Sequence, residues 1–128
     1  MPFKGANTIV IHTTDSSKQA LEKLGRLLVQ QGYTMDKFDL ILAYLATKPK
    51  SVGQLTPAAY TYTSVAMPEA TGTALHIRGE YTVPLGMRTM TESMFWVKGD
   101  MLHAKQCFTA VHAVATAYGG RMGYMLKP

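Results

Sequence analysis

His103 and Cys107 stand four residues apart in a helix-like segment, which sets an imidazole and a thiol on neighbouring turns. Such a pair lowers the thiol pKa and makes a nucleophile when a third group orients the base. No orienting group or oxyanion hole can be identified around it. Cys107 also lies at the edge of an apolar stripe, where cysteines are usually inert core atoms. The histidines His12, His76, His103 and His112 do not assemble. His103 and His112 fall on opposite sides of a helix, and His12 meets His76 only if their strands pair. A metal site needs three or four converging ligands, and neither H-x-x-x-H nor C-x-x-C occurs. Met87, Met90 and Met94 have a thioether spacing that soft Cu(I) accepts, but methionines more often fill core gaps or line adaptable apolar surfaces. Glu69, Glu80, Glu92 and Asp100 are isolated, with no paired carboxylates for general acid–base work. The glycines mark turns and helix ends, with no G-x-G-x-x-G or G-x-x-x-x-G-K phosphate loop. The expectation is a non-enzymatic chain with no catalytic residue, metal or cofactor.

The elements that position these residues are two helices around a strand-rich middle. Asn7–Thr13 alternates as a strand after an extended arm over residues 1–6. A helix follows over Ser17–Gln31. Ser16 and Gln19 have capping-box spacing, Asp15 suits the positive helix end, and Gly32 ends it. Ala20, Leu21, Leu24, Leu27, Leu28 and Gln31 form its apolar stripe; Lys18, Glu22, Arg26 and Gln30 form a solvated back, with Glu22 and Arg26 in the favourable order for an ion pair. Asp36–Asp39 reads as a turn or strand start. Leu40–Thr47 is apolar on both faces and is expected near the sheet centre. Lys48–Pro57 reads as a loop, Ala59–Met67 as a strand, Pro68–Gly72 as a hairpin turn and Thr73–Val83 as its return strand. An edge strand is expected near Thr91–Val97. The last helix runs over Met101–Tyr118, N-capped by Asp100 and ended by Gly119-Gly120, with Ala104, Cys107, Phe108, Val111, Ala115 and Tyr118 inward. Met122–Leu126 adds a short strand. The fold class is α+β: one antiparallel sheet of about four to five strands with two helices on one face.

At 128 residues the chain is one domain, large enough to bury a core without staples. Its net charge of +5 comes from scattered basic residues, which disfavours nucleic acid as a partner. One cysteine excludes an intramolecular disulfide framework. No apolar run reaches a membrane span, and no export signal is evident.

Two surfaces remain as candidates. The back of the second helix, Leu102, Gln106, Thr109, Ala110, Ala113, Thr116 and Ala117, is uncharged and built of small residues. It is expected to pack on a protein partner or a second copy. Tyr44, Tyr60, Tyr62 and Trp96, on strands under the helices, are the alternative: an apolar pocket for a small ligand between the second helix and the sheet.

The opening Phe3-Lys4-Gly5-Ala6-Asn7-Thr8-Ile9-Val10-Ile11, the capped helix, Gly32-Tyr33-Thr34 and Thr47-Lys48-Pro49-Lys50 resemble bacterial envelope lipoprotein-like domains with a β-α-β-β-β-α order. The layout is similar to the helix-grip, TBP-like domains of the outer-membrane assembly lipoprotein BamC. The resemblance covers most of the chain in layout, with its specific words in the first fifty residues. It implies a bacterial cell-envelope or periplasmic location, with the cytoplasm as the alternative, and a binding or scaffolding role. These families offer no catalytic residues to carry over. Their lipid-bearing cysteine has no counterpart near the start of this sequence, so either the chain is not anchored or it is truncated, and contact with a membrane is expected only through such an anchor.

Overall fold

The computed structural model describes residues 2–52, 58–99 and 102–127. Its centre is one long hairpin. β5 (Ala58–Glu69) and β6 (Gly72–Leu85) pair from Ala59↔Thr82 to Glu69↔Gly72. Strict alternation makes this hairpin two-faced. Tyr60, Tyr62, Ser64 and Ala66 on β5, with Leu75, Ile77, Tyr81 and Val83 on β6, are buried; Thr61, Thr63, Val65, Arg78 and Glu80 point the other way and are at least partly exposed. The turn is tight because Gly72 holds φ at 151°, where an added Cβ would strike the Thr13 carbonyl oxygen.

Each strand of the hairpin carries two more on its far side. β3 (Tyr44–Thr47) and β4 (Lys50–Val52) pair with β5; β1 (Thr8–Thr13) and β7 (Arg88–Ser93) pair with β6. β2 (Met35–Asp39) and β8 (Arg121–Met125) close the two sides, giving the order β2-β3-β5-β6-β1-β8, antiparallel throughout. Among the described residues the sheet therefore has 8 strands, not four to five. The extra ones are short pieces flanking the hairpin, where three to six residues carry little periodic signal. In β2 the register shifts between Met35 and Lys37, so Asp36 has no opposite residue.

Both helices cover the same face. α1 (Ser17–Gln30) begins at the expected capping box: Ser16 Oγ accepts from the Gln19 amide at 3.2 Å and Gln19 Oε1 accepts from the Ser16 amide at 3.3 Å. Gln31 is its exposed C-cap rather than part of the buried stripe. Lys50 Nζ donates to the Gln31 carbonyl at 2.6 Å, a cation at the negative helix end. Among the described residues Glu22 and Arg26 do not form the anticipated ion pair. α2 (His103–Tyr118) is capped by the Leu102 backbone and ends at Gly119, φ 89°. The cap expected from Asp100 lies outside the described residues. Tyr118 Oη donates to Asp15 Oδ2 at 2.6 Å, tying the end of α2 to the start of α1.

The apolar run Leu40–Thr47 is the main correction. Only Tyr44–Thr47 is strand. Asp39 Oδ1 accepts from the amides of Ile41 and Leu42, both at 2.9 Å, and Ala43 takes a φ of 57°. Together they bend Leu40–Ala43 into a hairpin turn. The edge strand expected near Thr91–Val97 instead spans Arg88–Ser93. After it Met94, Phe95 and Trp96 donate backbone bonds to Gly79, Ala104 and Ala6, strapping the chain to sheet, helix and arm.

Candidate functional site

α2 is held by its inner face. Ala104, Cys107, Phe108, Val111, Val114, Ala115 and Tyr118 are all buried, as a period of 3.6 demands. Tyr62 fixes its height over the sheet: the phenol donates to the Cys107 carbonyl at 2.6 Å. The outer face then stands clear. Leu102 is 51% exposed, and Thr109, Ala113, Thr116 and Ala117 are exposed; Gln106 and Ala110 are half-buried, Ala110 against the core. Thr116 Oγ1 donates back to the His112 carbonyl at 2.9 Å, so its polar atom is already satisfied by the helix. The surface is therefore uncharged and smooth, flanked by Lys105, whose Nζ lies 5.7 Å from the Trp96 ring centre.

The four aromatic pocket candidates do not converge on a space. Tyr60 and Tyr62 are buried, and their rings meet each other at 6.4 Å, with Tyr33 set edge-on to Tyr62 at 5.2 Å. Burial pushes the Tyr62 phenol far up and that of Tyr60 to about 12. Tyr62, Met94, Cys107 and Phe108, all fully buried, fill the volume between α2 and the sheet. Trp96 is half-buried beside it. Tyr44 lies on the opposite sheet face, opposite Val65, because Leu45 is the residue that turns inward. Tyr60 and Tyr62 fill the core instead of lining a cavity.

His103 and Cys107 do not make a working pair. Cys107 Sγ points to the Glu80 carbonyl at 3.7 Å, while the His103 ring stacks on Tyr81 at 6.0 Å. Burial pushes the thiol up to about 12. Cys107 is therefore expected to resist aromatic disulfide reagents near neutral pH and to react only at the rate of unfolding. Stoichiometric labelling of native protein within minutes would contradict this placement. His112 sits elsewhere, bonded to the Tyr124 phenol at 2.7 Å and stacked on Phe108. Burial holds its pKa below the usual imidazole range. Met87 and Met94 are at opposite extremes: the first sits fully exposed at the β6–β7 turn, the second in the core.

Two features escaped the sequence reading. β1 does pair with β6, bringing His12 and His76 onto the open sheet face. There His12 Nδ1 meets both oxygens of Glu69, at 2.8 and 3.1 Å, with Arg121 opposite it on β8 and a shallow pocket of 160 Å³ between them. Lys127 Nζ donates to His76 Nδ1 at 2.7 Å. Among the described residues no three His, Cys, Asp or Glu side chains are placed to hold a metal. The second feature is an apolar groove between α1 and β2, of about 450 Å³, lined by Gly25, Val29, Met35 and Phe38 and rimmed by Glu22, Arg26 and Gln30. The charged back of α1 is thus one wall of a groove. Only a joint reading of α1 and β2 as neighbours would have exposed it. No described helix is long and apolar enough to cross a membrane.

No family model matches the chain, and no curated protein matches it in sequence.

Proposed function

We propose that this chain is a non-catalytic binding or scaffolding domain, acting through protein–protein contact or self-association, with the outer face of α2 as its contact surface. The observation that carries the reading is that exposed, uncharged face running from Leu102 through Thr109 and Ala113 to Ala117, on a helix whose opposite side is wholly committed to the core. A solvated helix back ordinarily carries Lys and Glu. Small residues allow another backbone to approach closely, and an uncharged face loses little hydration when covered. The resemblance in layout to envelope lipoprotein-like domains supports the bacterial cell envelope as its place, with the cytoplasm as the alternative. A small apolar ligand between α2 and the sheet is the weaker reading, because Tyr60 and Tyr62 occupy that space.

The test uses the inert Cys107. A photo-crosslinker attached to Ala113→Cys, in an extract of the source cells, should give one discrete covalent product, a partner or a second copy. The same probe on Lys18→Cys, on the exposed side of α1, should give none. No product from Ala113→Cys, or equal products from both, would overturn the assignment.

A further inference from the structure

β6 carries a cation and an anion side by side on the sheet face turned away from the helices. Arg78 and Glu80 share that face, two residues and roughly 7 Å apart along the strand. The register sets hydroxyls directly opposite them. Thr63 faces Arg78 and Thr61 faces Glu80 on β5, and Ser93 faces Glu80 on β7. Between the two charges lies a notch. β1 pairs with β6 as far as Arg78 and β7 pairs with it from Glu80 onward, so Gly79 falls between the two ladders. There the Met94 amide donates to the Gly79 carbonyl at 2.9 Å. Gly79, the charged pair and the three hydroxyl residues line a pocket of about 220 Å³.

Elsewhere on this face polar neighbours satisfy one another. Thr82 and Thr91, the next cross-strand pair of β6 and β7, share a hydrogen bond at 2.9 Å. His12 meets Glu69, and Lys127 Nζ donates to His76. In the notch nothing is paired. Among the described residues the side chains of Arg78, Glu80, Ser93, Thr61 and Thr63 make no hydrogen bond or ion pair. The charge across the pocket also has a direction. Lys127, seated on His76 next to Arg78 on the same face, adds positive charge at one end, and Glu80 holds the other end negative. An anion entering there meets Glu80, and a cation meets Arg78. A molecule that carries both charges satisfies both. Among the described residues the lining holds no aromatic ring on which a sugar could stack. The volume falls below the roughly 300–1,000 Å³ of drug-sized sites, so the molecule is small.

We propose that the notch between β1 and β7 binds a free α-amino acid with a small side chain. Its carboxylate lies on the Arg78 guanidinium, whose planar fork matches two carboxylate oxygens, and the Thr63 hydroxyl donates to it as well. Its ammonium lies on the Glu80 carboxylate, with the Ser93 and Thr61 hydroxyls as further acceptors. The helices cover the reverse face of the sheet, so this site is separate from the outer face of α2.

The test is a titration of the full isotope-labelled chain, followed by its amide chemical shifts, with the common L-amino acids added singly to about 10 mM. At least one of glycine, L-alanine and L-serine should move the Gly79, Glu80 and Ser93 signals saturably. The N-acetyl and carboxamide forms of the same amino acid each lack one charge and should bind at least about tenfold more weakly. Arg78→Gln and Glu80→Gln should each weaken the amino acid by a similar factor. Their thermal melts should stay near that of the parent, since neither side chain has a partner to lose. Glu80→Gln should also bind acetate more tightly than the parent does, a gain that a folding defect cannot imitate. No saturable shift with any amino acid overturns the proposal. So does equal binding of the N-acetyl or carboxamide form, or binding that survives both substitutions. Shifts at these residues with phosphate, magnesium or glucose in place of amino acids overturn it in favour of that class of ligand.

Discussion

Gly79→Ala is expected to lower the unfolding free energy by about 1–3 kcal/mol, toward the upper end. Gly79 is the cross-strand partner of Tyr62 in the middle of the sheet. A Cβ there would lie 2.7 Å from two carbons of the Tyr62 ring and 2.8 Å from Met94 Sδ. The missing side chain is what lets an aromatic ring lie flat on the backbone under α2. Met94 is unbranched and can yield, but Tyr62 cannot, because its hydroxyl is tied to Cys107. Urea denaturation measures the loss. An unchanged midpoint would mean that the ring does not rest on this glycine.

Tyr62→Ala should cost more, about 3–5 kcal/mol, as a fully buried aromatic reduced to a methyl group. Tyr62→Phe should cost only about 0.5–1.5 kcal/mol, the net worth of one hydrogen bond. The contrast separates ring packing from the polar anchor. The two sites should also couple. In the Tyr62→Ala background, Gly79→Ala loses its principal clash, so a double-mutant cycle should give an interaction of about 0.5–3 kcal/mol. Additive losses would show that the two residues do not share this contact. Tyr62→Ala should also speed labelling of Cys107, since the ring is part of what covers it.

The elements most legible in the sequence were those with long, one-sided periodicity. The α1 capping box, the inward stripe of α2 and the alternation of Tyr60, Tyr62, Leu75 and Ile77 each follow from local pattern. In Leu40–Thr47 apolar content does not mean burial. Asp39 and Ala43 settle the backbone there, and they leave Ile41 and Leu42 outside. The same run hid the orientation of Tyr44, since a strand apolar on both faces does not say which face is inner. The exposure of the outer face of α2 was readable residue by residue, apart from the half-burial of Gln106 and Ala110. The groove and the His12–Glu69 contact were not. Each depends on which elements become neighbours, and residues 57 positions apart meet only through the register of β1, β5 and β6.

The shifted register of β2 has a consequence for colloidal behaviour. An outermost strand with regular spacing is a template on which further chains can grow without limit. Here the irregularity at Asp36 breaks that spacing, and Asp36, Lys37 and Asp39 put charge along it. On the other side β8 is short, opens with Arg121 and carries a glycine, Gly123, at its centre. Neither of these two strands welcomes an added one, so open-ended growth from β2 or β8 is disfavoured in concentrated solution. A protein that exposes a Leu-Ile-Leu tip has particular need of that safeguard.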